Sequence, residues 1–73
     1  MPTQIVMDHT GDTRYNFAAK DAKAVLKAEE RFKKLTGRGF IAAVRNTSGE
    51  VTVTRTFDPN AEETLFLPRL VGG

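Results

Sequence analysis

Residues 18–35 read AAKDAKAVLKAEERFKKL, and this stretch decides the architecture. Ala22, Val25, Leu26, Glu29, Phe32 and Leu35 recur at steps of three and four, the period of one helical face. Lys20, Lys23, Lys27, Glu30, Arg31 and Lys34 take the opposite side. Ala, Leu, Lys and Glu are strong helix formers, so propensity agrees with pattern. The start is weakly marked. An N-cap at Ala18 brings no side-chain acceptor, although it sets Asp21 at the third helical position, where a carboxylate suits the helix dipole. The stop is clearer: Lys33 and Lys34 fall in the last turn, and Gly37 is placed just beyond the end.

Outside this helix the period changes to two. Thr3 to Met7 is β-branched and apolar, and Thr13 to Phe17 alternates, with Tyr15 and Phe17 on one face. Between them Asp8-His9-Thr10-Gly11-Asp12 is turn chemistry, so the opening predicts a β-hairpin. After the helix, Phe40 to Val44 reads as a short buried strand and residues 46–50 as a loop. Val51 to Phe57 alternates, with Val51, Val53 and Phe57 expected inward, although Arg55 interrupts that set. Asp58-Pro59 has the form of a cap and first residue, which predicts a single helical turn through Glu63. Thr64 to Leu67 is a last strand, ended by Pro68. The expected fold is α+β with two layers, a mixed sheet of four or five strands packed on one amphipathic helix. Residues 1–68 form the single domain and 69–73 a flexible tail.

Size and composition narrow the function. A chain of 73 residues holds one small core and no deep substrate cleft. It contains no Cys, which excludes a thiol nucleophile, a disulfide framework and a thiolate metal site. No apolar run is long enough to span a membrane, and there is no signal-peptide pattern, so a cytoplasmic protein is expected. The net charge of +2 is too small to argue for nucleic acid or an anionic membrane.

Few residues invite chemistry. His9 stands alone between Asp8 and Asp12; without a second His it makes a poor metal site, and turn carboxylates serve local backbone hydrogen bonds. Asp58, Glu62 and Glu63 form a solvated turn rather than a catalytic pair. Five Phe are spread along the chain, as one small core requires. Lys20, Lys23, Lys27, Arg31 and Lys34 make a basic helix face, with Glu30 expected to pair with Lys34. That face reads first as a plain solvated surface, with a docking surface for an acidic protein as the alternative. A nucleic-acid site would need aromatic platforms, and none is visible beside it. No metal site, catalytic residue or cofactor is expected.

The last residues are Pro68-Arg69-Leu70-Val71-Gly72-Gly73. Without Cβ atoms, Gly72 and Gly73 give an unbranched backbone able to thread a narrow channel to the carboxyl. This segment, with Glu62-Glu63-Thr64-Leu65-Phe66-Leu67 before it, resembles the end of ubiquitin-like β-grasp proteins. It is similar to the small bacterial sulfur carriers of thiamine and molybdopterin synthesis. Gln4-Ile5-Val6 with the Thr10-Gly11 turn, and Arg69-Leu70 before the diglycine, are similar to ubiquitin itself. The element order also matches the β-grasp fold. The resemblance implies a carrier or modifier, not an enzyme. Gly73 would be adenylated by an E1-like enzyme using ATP, then converted to a thiocarboxylate or joined to a lysine. Gly72 would give access, while Pro68, Arg69, Leu70 and Val71 would line the partner's channel. Arg69 stands where sulfur carriers often have a small or apolar residue, and the helix is longer and more basic than theirs. The alternative is a non-catalytic interaction module, monomeric or weakly homodimeric, binding through a sheet edge or the basic helix face.

Overall fold

The computed structural model describes residues 2–68. Their order is β1 (Thr3–Asp8), β2 (Gly11–Asn16), α1 (Ala22–Gly37), β3 (Ile41–Arg45), β4 (Val51–Thr54) and β5 (Glu63–Leu67). The five strands form one sheet in the order β2-β1-β5-β3-β4. β1 and β5 run parallel at its centre, and every other neighbouring pair is antiparallel. With α1 laid across one side, this is an α+β, two-layer, β-grasp-like fold.

Local chemistry explains the boundaries. Asp8 accepts a hydrogen bond from the Thr10 amide at 2.8 Å, and Gly11 takes φ +123° to reverse the chain. The helix starts later than its periodicity suggests. Asp21, not Ala18, is the N-cap, accepting from the amides of Lys23 and Ala24 at 3.1 and 3.2 Å. A carboxylate satisfies amides that an alanine leaves bare. At the other end Gly37 remains helical, Arg38 is the C-cap, and the positive-φ residue is Gly39 at +98°. The Phe40 amide then donates to the Leu35 carbonyl at 3.1 Å, closing the last turn.

Under α1 lies a cluster of Val6, Phe32, Ala42 and Phe66, with Leu35, Phe40 and Phe57 packed against it. Phe32 meets Phe66 and Phe57 edge-on at 5.7 and 5.9 Å, and Phe57 meets Phe17 at 6.1 Å. The five phenylalanines therefore sit in one core, as expected. The inward helix stripe differs from the expected one. Ala28 is fully buried, whereas Leu26 is 58% exposed and Ala22 is exposed. Leu26 precedes Ala28 by two residues, roughly 160° around the helix, so the two cannot share a face. A small residue at the contact lets the helix backbone approach the sheet.

β4 also departs from its pattern. Val51 and Val53 were expected inward, yet they are 50% and 66% exposed. Val53 lies opposite Ala43 and Val51 opposite Arg45, which places both on the side away from α1. The strand stops at Thr54, where the Thr56 amide donates to the Thr54 hydroxyl at 3.2 Å. That turn breaks the alternation and returns Phe57 to the helix side. Residues 58–63 form no helical turn. The Asp58 carboxylate accepts from the Asn60 amide at 2.9 Å, a compact Asx turn leading into β5.

Candidate functional site

The expected carrier residues Arg69, Leu70, Val71, Gly72 and Gly73 lie outside the described residues. Pro68 is described and exposed. It follows β5, in which Thr64, Leu65 and Phe66 are buried. β5 is bonded to β1 on one side and β3 on the other, so the last described residues leave the most firmly held strand.

The basic helix face divides in two. Lys27, Arg31 and Lys34 line a groove of about 340 Å³ between α1 and β2, together with Tyr15, Glu30, Leu35 and Arg38. Lys20 and Lys23 are exposed but do not line it. The steps 27, 31, 34 and 38 follow one helical edge, so the groove has a cationic wall. Arg31 differs from its neighbours. It is half-buried, its guanidinium lies 3.8 Å from the centre of the Tyr15 ring, and it donates to Gln4 Oε1 at 2.8 Å. Gln4 is fully buried, and its Nε2 donates to the Ala28 carbonyl at 3.0 Å. Thus β1, α1 and β2 are tied by one polar chain in which each buried group finds a partner. Arg31 holds the groove's shape; Lys27, Lys34 and Arg38 supply its free charge. Tyr15 also places an aromatic ring beside this face, where the sequence showed none. Glu30 and Lys34 do not pair: among the described residues the one ion pair within 4 Å is Arg45–Glu63, at 3.2 Å.

On the side away from α1, Ile5, Ala43 and Leu65 form a buried patch with Met7 against it. Ile41, Leu67, Val51 and Val53 extend this side toward solvent. A second hollow, of about 510 Å³, opens where β3 outruns β4, between Phe40, Ile41, Val53, Thr54 and Arg55.

The acidic residues do not converge. Among the described residues no group of three or more His, Asp or Glu side chains is arranged to hold a metal ion. Glu63 is engaged by Arg45, and Glu62 is exposed. His9 is exposed at the hairpin tip. Its neighbour Asp8 is held below the ordinary carboxylate value by hydrogen bonds from the Thr10 hydroxyl and amide. No described helix is long and apolar enough to cross a membrane.

Sequence reasoning missed Gln4, Tyr15 and Arg38. Arg38 was within reach, standing one turn beyond Lys34. Gln4 sits in an apolar strand, and nothing local marks it as the helix's anchor. Compared with protein families, curated proteins and solved structures, the chain gives no match.

Proposed function

We propose that this chain is a ubiquitin-like carrier or modifier, activated at Gly73 by an E1-like adenylating enzyme for sulfur transfer or conjugation. The supporting observation is where β5 sits and how it ends. β5 is the sheet's central strand, its pairing runs to Leu67, and Pro68 has no amide with which to extend the ladder. Gly73 therefore follows a fixed anchor by a short stretch that ends in two residues without Cβ atoms. A free carboxylate is inert to nucleophiles until its oxygen becomes a good leaving group. In this reading the Gly73 carboxylate attacks the α-phosphorus of enzyme-held ATP, and pyrophosphate leaves. A sulfur nucleophile or a lysine amine then attacks the acyl carbon, and AMP leaves. The carrier contributes the carboxylate and a docking surface, and no catalysis.

Intact-protein mass spectrometry of material from native cells tests this, beside a copy lacking Gly72 and Gly73. Exchange of a terminal oxygen for sulfur, separated from Met oxidation by tandem spectra, is the expected result, or else an isopeptide through Gly73. A mature protein that continues past Gly73, or one never modified there, ends the proposal.

The groove beside α1 favours a second reading, a non-catalytic module that binds an acidic protein segment. Lys27, Lys34 and Arg38 flank Tyr15 and Leu35 there, an apolar floor with a cationic wall. Binding that falls as salt rises, and that is lost in Lys27→Glu with Lys34→Glu, would support it. Salt-independent binding would count against it.

A further inference from the structure

We infer that β4 is the docking edge for a second copy of this chain, giving a two-fold dimer in which the two β4 strands pair antiparallel and join both sheets into one. This stands apart from the carrier reading and survives its failure. β4 is the outer strand beside β3, and among the described residues nothing pairs with its other side. An unpaired edge is a template for another strand, and proteins blunt such edges with Lys, Pro, inward charges, bulges or a covering element. β4 is short, at four residues, but carries none of these. Its sequence is Val-Thr-Val-Thr, its register with β3 is unbroken, and Val51 and Val53 are 50% and 66% exposed.

Symmetry selects the register. Opposed residues of an antiparallel pair lie on one side of the sheet, so a two-fold axis must pass through a residue rather than between two. Centred on Thr52, the pairing sets each Val51 against Val53 of the second copy. It also sets each exposed Glu50 opposite Thr54 of that copy, one residue from Arg55. Centred on Val53, it would keep one apolar pair, Val53 with its copy, and set each Val51 against Arg55. The structure therefore favours the Thr52 axis: two apolar cross-strand pairs, a Thr–Thr pair on the other side and an opposite charge near each end.

The other edge does not serve this purpose. β2 carries Asp12 and Arg14 on the side away from α1, charges of the kind that blunt a sheet edge. Pairing β2 with β4 would be head-to-tail and would leave a free edge at each end to grow. β4 with β4 closes after two copies.

Sedimentation equilibrium of the full chain up to millimolar concentration tests the inference. A monomer–dimer equilibrium is expected, with amide protection at Val51–Thr54 rising with concentration. Val53→Lys should weaken the dimer about tenfold or more, because it puts a charge in an apolar cross-strand pair. Thr13→Lys on β2 should leave it unchanged. Glu50→Arg and Arg55→Glu, both at exposed positions outside the strand, should each weaken the dimer and together restore it. That charge swap decides the matter if Val53→Lys disturbs folding. A monomer at every concentration, unlimited growth, or single charge reversals that the double variant does not repair would overturn the inference.

Discussion

The two sides of the sheet are built from alternate residues of the same strands, yet they are buried by different means. Under α1, Gln4, Val6, Ala42, Thr64 and Phe66 are covered by a second layer rich in phenylalanine. On the other side Ile5, Ala43 and Leu65 are almost as inaccessible, at 3%, 2% and 5%, although no described helix covers them. There the neighbouring side chains of adjacent strands do the screening, and exposure climbs toward β4, where Val53 reaches 66%. Burial at the centre of a sheet is therefore no proof of a covering layer. What separates the sides is how the surroundings respond when a side chain is removed.

The largest effect expected is for Phe66→Ala, which empties the contact with Phe32 and should cost about 3–5 kcal/mol in denaturant unfolding. Leu65→Ala, equally buried by area, should cost nearer to about 2 kcal/mol, because solvent and neighbours can close over the open side. Equal losses would break the comparison. Next, Gln4→Leu keeps the bulk but removes both hydrogen bonds, leaving the Arg31 guanidinium without its acceptor. A loss of about 1–3 kcal/mol is expected, with the Tyr15 environment altered in NMR spectra. If unfolding is unchanged, the polar chain contributes nothing to holding α1 on its side. Asp21→Ala should cost about 1 kcal/mol and fray the first helical turn, read by amide exchange at Lys23 and Ala24.

The smallest effect lies on neither side, at the hairpin tip. The folded-state value for Asp8 is depressed, so its contribution is present above the unfolded value of about 3.8. It is lost as pH falls through the lower folded value. Asp8→Asn keeps an acceptor for Thr10 but cannot titrate. The stability difference between the two proteins should be constant near neutral pH and change only below that window. A change centred near neutrality would overturn the assignment to Asp8.

The element order was legible because each element carries its own period. The helix expected over residues 18–35 and found at Ala22–Gly37, the hairpin around Gly11 and the strand ending at Pro68 all rest on short-range rules. Leu26 and Ala28 show where those rules stop. Both fit helical spacing, and choosing between them needed the position of the sheet beneath. Val51 and Val53 show the same for β4: alternation groups them together but does not say which side they face. The basic face was legible as a charge row. Arg31's engagement with Gln4 and Tyr15 was not, because those partners stand 27 and 16 positions away in the chain.

By itself the sequence determined the α+β class, the order of the strands and the helix, the turn glycine at Gly11 and the five-phenylalanine core. These follow from backbone preference and periodicity, which act over a few residues. Tertiary structure alone decided that β5 lies between β1 and β3, that the β4 valines face away from α1, and that Gln4 is the helix's anchor. Those outcomes depend on strand register, and register is settled only when distant segments compete to bury the same surface.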